Sequence, residues 1–177
     1  YKNRAAWLAK FEAEHSNLLA ALAWAYASAA DPAAGPRLTA ALHPFWHWHA
    51  LAEAQEWFQA ARLRCQADAA IDPALTAQVL TRLSRYLGGY DPDLTRDLAR
   101  QGLALSRTLG PAGQEVLVEA LAQFVHSATD RHTHSGPQTP FEEVQAALDE
   151  LRALVQQLGP KTTVDPRYYR GEWAGVE

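Results

Sequence analysis

The most constraining feature of this 177-residue sequence is its excess of alanine and leucine over the residues that favour β-strands. Alanine occurs 35 times and leucine 23 times, whereas valine occurs 8 times and isoleucine once. Alanine and leucine rank at the top of the helix propensity scale, and β-branched aliphatic residues are the ones enriched in strands. The composition therefore excludes most β-rich folds and predicts an all-α protein.

The overall charge argues against two classes of partner. The formal net charge is -4 at pH 7 and the isoelectric point is about 6.0, so the chain as a whole does not attract nucleic acid phosphates or anionic lipid. No stretch approaches about eighteen consecutive apolar residues, and the N-terminus lacks a secretion-signal layout. We expect no direct nucleic acid binding, no membrane association and a cytoplasmic location, in which the single Cys65 is structural.

Apolar residues recur with the helical period of about 3.6, and proline or glycine pairs separate the periodic segments. Pro44 interrupts one segment and predicts a kink or turn, because proline cannot donate a backbone hydrogen bond. Residues 1–160 are expected to form one repeat domain, and residues 161–177 an irregular tail. The repeat domain is predicted to hold about seven helices: a long first helix over 3–30 and hairpins over about 37–68, 74–109 and 113–158.

Two of these hairpins overlay helix by helix, with an insertion at 130–140 in the later one, and both end in Leu-Gly-Pro. Their leading helices share a 3-1-3 spacing with a small residue in the third place: Leu80, Leu83, Ser84 and Leu87, and Val118, Leu121, Ala122 and Val125. Small residues at Thr95, Ala99 and Gly102 predict a close approach of the helices in the earlier hairpin. This layout resembles tetratricopeptide repeats, which implies a right-handed α-α superhelix of stacked hairpins.

Residues 7–24 read WLAKFEAEHSNLLAALAW. This string resembles the segment W-L-x-x-L-E-A-E-H-x-N-L-x-A-A-L-x-W of bacterial multidomain signal-transduction regulatory ATPases, including LuxR-type and related transcriptional regulators. Phe11 stands where the family usually has leucine. Residues 37–61 are similar to the next helices of the C-terminal repeat region of that family, and the likeness extends well to about residue 109 and loosely beyond it.

The resemblance implies a non-catalytic protein-interaction and signal-sensing scaffold that is a fragment of a regulatory ATPase. Its expected partners are other domains of the parent protein and a protein or peptide, with a small-molecule effector as a further candidate. The sequence contains no methionine, which agrees with a module of a longer chain. It also contains no phosphate-binding loop and no Rossmann fingerprint, so we expect no cofactor and no enzymatic activity of these residues.

The main candidates for a binding groove are five clustered aromatic residues: Phe45, Trp46, Trp48, Trp57 and Phe58. Aromatic side chains supply large contact areas in the grooves of helical arrays, although the same residues could fill the junction between the first helix and the hairpin. Five arginines recur on two neighbouring helices: Arg82, Arg85, Arg96, Arg100 and Arg107. We include Arg96 and Arg100 as groove candidates for an acidic partner, and the alternative is a solvated face balanced by aspartates.

Histidines raise the question of a metal site. His43, His47 and His49 have a spacing that can present two imidazoles to one metal, but Pro44 disturbs the helix and the metalloprotease glutamate is missing. His126, His132 and His134 lie in or beside the loop at 130–140. We assign no metal site, and a small-molecule or metal-binding helical domain that uses the Trp/His cluster is the alternative function.

Polar residues of the first helix could suggest an acid-base site, but the sequence places no nucleophile beside them. We expect His15 and Asn17 to hydrogen-bond to the adjoining helix or its turn and so to fix how the first helix docks.

Overall fold

The computed structural model describes residues 4–28, 30–49, 51–88, 90–129 and 139–159. Within these ranges the chain is helical and has no β-strand, which confirms the all-α class. The described residues form eight α-helices, one more than predicted, and one short 3-10 turn at Gly110–Gly113. The helices are α1 (Arg4–Ala27), α2 (Ala34–Ala41), α3 (His43–His49), α4 (Leu51–Ala67), α5 (Pro73–Leu87), α6 (Pro92–Arg107), α7 (Gln114–Thr129) and α8 (Phe141–Leu158). The predicted tail lies outside the described residues.

Two helices begin at Asp-Pro pairs. The Asp72 carboxylate accepts a hydrogen bond from the backbone N–H of Ala74, and the Asp91 carboxylate accepts one from that of Leu94. Each cap satisfies an N–H that has no partner within the helix, and the following proline is already fixed at a helical φ. Local sequence signals therefore define the starts of α5 and α6.

The additional helix arises around Pro44. The segment in which Pro44 predicts a kink or a turn is split at Leu42, and Pro44 is the second residue of α3. In a first helical turn the missing N–H of proline sacrifices no intrahelical bond. The backbone N–H groups of Phe45 and Trp46 donate to the Leu42 carbonyl at 2.9 and 3.1 Å, and these bonds close the turn between α2 and α3. Of the predicted kink or turn, the structure has a turn, and it lies two residues before the proline.

From α2 onward the helices pack in a repeating order. Three pairs form hairpin-like contacts: α2 with α4, α5 with α6, and α7 with α8. The second helix of each pair also packs against the first helix of the next, and the first helices pack against one another, α2 with α5 and α5 with α7. This order of contacts is typical of stacked helical hairpins. The right-handed superhelix stays a prediction, because the sequence in which helices contact one another does not define the handedness of the array.

Helices α5 and α6 approach each other closely at Gly102. A Cβ atom added at Gly102 would lie 2.6 Å from Thr81 Oγ1 and 3.2 Å from the Thr81 backbone nitrogen. Thr95 and Ala99 are buried on the same side of α6. The small residues therefore allow the close contact that the sequence predicts.

Candidate functional site

Three members of the aromatic cluster lie in the protein core. Phe45, Trp46 and Phe58 are 2%, 0% and 0% exposed. Trp57 is half-buried and stacks on Tyr26, with ring centroids 5.5 Å apart. The side chain of Trp48 lies outside the described residues. Burial leaves the first three side chains no surface for a ligand, so they fill the junction of the first helices, which corrects the groove prediction for them.

Trp46 also has a polar role at the end of α2. Its indole Nε1 donates to the backbone carbonyl of Thr39 at 3.3 Å. Because α2 ends at Ala41, this carbonyl belongs to the last turn, where helix carbonyls lack intrahelical partners. The buried indole thus supplies a hydrogen bond that the broken helix does not.

The next carbonyl, that of Ala40, lacks its helical donor for a different reason. The residue four positions later is Pro44, which has no N–H group. A backbone N–H at the end of α2 donates to this oxygen instead, and Arg82 on α5 adds a second bond, since its Nη1 lies 2.7 Å from the Ala40 oxygen. The break between α2 and α3 is therefore completed by a side chain from another hairpin.

The Arg82 guanidinium also forms an ion pair with the Glu119 carboxylate on α7. Arg82 Nε donates to Glu119 Oε1 at 2.8 Å, and Nη2 donates to Oε2 at 2.9 Å. The two side chains are only 17% and 14% exposed. This forked geometry is the strong arrangement of an arginine-carboxylate pair, and limited exposure reduces screening by solvent.

One turn along the same two helices, Arg85 Nε donates to Gln123 Oε1 at 3.2 Å. Gln123 is buried. We call this set of contacts the polar seam: Arg82, Arg85, Glu119, Gln123 and the Ala40 carbonyl. The polar seam connects the first helices of three successive hairpins, α2, α5 and α7.

The remaining arginines also contact acceptors within the protein. Arg96 is buried and pairs with Asp93 on its own helix. Arg100 contacts Glu143 at 3.4 Å and Arg107 contacts Glu150 at 2.5 Å, so two pairs with the same seven-residue spacing join α6 to α8. Burial removes Arg96 from the candidate groove, and Arg100 forms part of a helix-helix contact. The alternative of a solvated arginine face is also wrong for Arg82 and Arg96.

The first helix docks through hydrogen bonds and aromatic contacts. His15 Nε2 lies 2.8 Å from Glu53 Oε2 on α4, and the ring of Phe11 stacks on Phe45 at 5.3 Å. The predicted bond from His15 to an adjoining helix is confirmed. The prediction for Asn17 is wrong, because its amide donates to Glu14 on the same helix.

Sequence reasoning missed the buried Tyr86 and its partner on α3. The Tyr86 hydroxyl lies 2.6 Å from His43 Nδ1 and 3.1 Å from the His43 carbonyl. Gln55 Nε2 on α4 donates to the Tyr86 carbonyl at 2.5 Å. Tyr86 lies on the buried stripe of α5, but its partners are more than thirty residues away, and helical periodicity carries no signal for such a pairing.

Two titratable groups near the first helix have shifted pKa values. Burial raises the pKa of Tyr26 to about 12, although a hydrogen bond with Thr39 opposes the shift. Burial also raises the pKa of the Cys65 thiol, opposed by a hydrogen bond with Thr76. Both shifts favour the neutral form, as expected for structural groups inside a core.

Within the described part of the chain, no group of three or more His, Cys, Asp or Glu residues is arranged to hold a metal ion. The side chains of His47, His49, His132 and His134 fall outside that part, so their predictions are not tested. No described helix has both the length and the apolar character needed to cross a membrane.

No known protein family matches the sequence, and no curated protein or solved structure matches it either.

Proposed function

We propose that this chain is a non-catalytic helical scaffold for protein interaction and signal sensing. In this proposal it is the cytoplasmic repeat region of a regulatory ATPase or transcriptional regulator. A protein or peptide, or a small-molecule effector, biases the array between conformations, and the array passes that bias to a nucleotide-binding domain.

The observation that carries the proposal is the repeating order of helix contacts from α2 to α8. Each hairpin contacts its neighbours along the chain, so a change at one hairpin reaches the next through direct packing. The likeness of residues 7–24 to the regulatory ATPases supplies the class of parent protein.

The chemistry of the polar groups also supports a scaffold. The arginines of the polar seam donate to acceptors on neighbouring helices, and His15 and Tyr86 bond to groups on other helices. These groups orient helices relative to each other. A nucleophile activated by a positioned base would instead indicate catalysis.

The proposal is tested by mixing this chain with the purified nucleotide-binding region of its parent polypeptide. Calorimetry measures binding, and phosphate release measures ATP turnover. We expect saturable binding and a change in turnover of at least about threefold, an effect within the usual allosteric range. A Gly102→Ala variant, whose hairpin packing is disturbed, is expected to bind more weakly than the exposed control Ala104→Gly. If the intact chain neither binds the nucleotide-binding region nor changes its ATP turnover, the proposal is refuted.

A further inference from the structure

The polar contacts around Pro44 form a continuous chain of bonds across three hairpins. Pro44 cannot donate to the Ala40 carbonyl, and this oxygen accepts instead from a backbone N–H at the end of α2 and from Arg82 on α5. The opposite edge of the same guanidinium holds Glu119 on α7. Every link in this path is a short, directional bond.

We infer that Arg82 couples the break between α2 and α3 to α7. The main packing partners of α3 are α2 and α4, and those of α7 are α5, α6 and α8, so Arg82 joins elements that are not main packing partners of each other. Arg82 satisfies both ends at once through a single rigid, planar group. A displacement of the α2 end shifts the guanidinium, and the Glu119 carboxylate has to follow or lose its forked bond.

The segment at the start of this path is suited to receive a signal. α3 is short, and it touches three other elements through its side chains: α1 through Phe45 and Phe11, α5 through His43 and Tyr86, and α2 through Trp46 and the Thr39 carbonyl. A change in the docking of α1 therefore reaches α3 through Phe11 as well as α2, against which α1 packs. From the α2–α3 break, Arg82 carries the change to α7.

A continuous helix is the alternative state of the break. A residue with an N–H group at position 44 could donate to the Ala40 carbonyl and join α2 to α3. Because the Ala40 oxygen already accepts from a backbone N–H and from Arg82, a third donor would compete with Arg82 for one of its two lone pairs. The proline therefore keeps the acceptor available to Arg82, and its replacement should disturb the pair on α7.

This inference gives the proposed transmission of a signal a physical path, but its test needs no partner. The coupling could fail while the chain still binds a nucleotide-binding region, and it could hold in a chain that binds none. The two proposals are therefore distinguishable.

The test is a double-mutant cycle with Pro44→Ala and Glu119→Gln, measured by urea unfolding of the whole chain. The two substitutions should not be independent, since each disturbs the same guanidinium. We expect the unfolding equilibrium constant of the double variant to differ by about tenfold from the product of the single effects, a value typical of residues that share one network. In an Arg82→Met background, the discrepancy should fall below about twofold.

The control cycle replaces Glu119→Gln with Glu143→Gln, which weakens the pair with Arg100 on α8 instead. This cycle should be multiplicative within about twofold. Equal discrepancies in the two cycles, or none in the first, would overturn the inference.

A second measurement applies even where Pro44→Ala does not fold. Hydrogen exchange of the Phe45 and Trp46 amides reports the break directly, because both donate to the Leu42 carbonyl. In Glu119→Gln alone these amides should exchange at least about fivefold faster than in the wild type, as expected for a locally weakened element. In Glu143→Gln they should be unchanged, and unchanged rates in Glu119→Gln would also refute the coupling.

Discussion

Replacing Gly102 with alanine tests how closely α5 and α6 approach. The new methyl group would lie 2.6 Å from Thr81 Oγ1, 3.2 Å from the Thr81 nitrogen and 3.4 Å from the Ala77 carbonyl oxygen. Thr81 is β-branched and has few alternative rotamers in a helix, and the other two atoms belong to the helix backbone. The helices therefore have to move apart to accept one methyl group.

The expected effect is the difference between two opposing terms. Overpacking of a tight core costs about 1–3 kcal/mol, and the backbone contacts at Gly102 place this site near the upper end. Alanine gains about 1 kcal/mol over glycine in a helix interior. The net destabilisation is about 2 kcal/mol, which lowers the melting temperature of a chain of this size by about 4–8 °C.

Urea unfolding followed by circular dichroism measures this effect. The exposed Ala104 on the same helix provides the control, because Ala104→Gly reports the propensity term alone. Adding Thr81→Ala to Gly102→Ala removes the nearest atom and should recover at least half of the lost stability. A Gly102→Ala variant as stable as the wild type, or more stable, would show that the two helices are not in this close contact.

Three further outcomes follow from the polar and buried groups. Arg82→Ala should lose about 3 kcal/mol of unfolding free energy, because it leaves the Glu119 carboxylate partly buried and unpaired. Arg107→Ala, which removes an exposed pair, should lose less than about 1 kcal/mol, and equal losses in urea unfolding would contradict this ranking. The pKa of Tyr26 is raised from 10.0 to about 12, so its contribution to stability is fully present below pH 10 and is lost as the pH rises toward 12. The free energy of unfolding should therefore fall between pH 9 and pH 12 by about 1–2 kcal/mol more in the wild type than in Tyr26→Phe, a range that already allows for partial exposure. Cys65 is buried and its thiol pKa is raised, so a disulfide reagent at pH 8 should label the folded chain at least about a hundredfold more slowly than the urea-unfolded chain; comparable rates would place the thiol at the surface.

The sequence predicts the helices well because their signals are local. Proline and aspartate pairs define the starts of α5 and α6, and helical periodicity predicts the buried stripes, such as that of α5. The small residues near Gly102 predict a close contact, since a missing side chain has one main consequence in a helix-helix interface. These features depend on neighbours within a few residues.

The pairing of side chains between hairpins could not be predicted in the same way. Arg82 and Glu119 are 37 residues apart, and Arg82 and the Ala40 carbonyl are 42 apart. Which acceptor an arginine reaches depends on the rotation and spacing of whole helices. The burial of Trp46 could not be predicted for a similar reason. An aromatic residue on a helix is compatible with a groove or with a core until the neighbouring helices are placed.

The acceptor at Ala40 is a main-chain oxygen, so no substitution at position 40 can remove it. Variation at position 44 changes the donors that can reach this oxygen, because any residue other than proline adds an N–H four residues beyond Ala40. Positions 44 and 82 should consequently show epistasis: sequences of this type with proline at 44 should retain arginine at 82, and those without it should tolerate lysine or an apolar residue there. The two positions are linked through one carbonyl oxygen, to which Arg82 donates and Pro44 cannot.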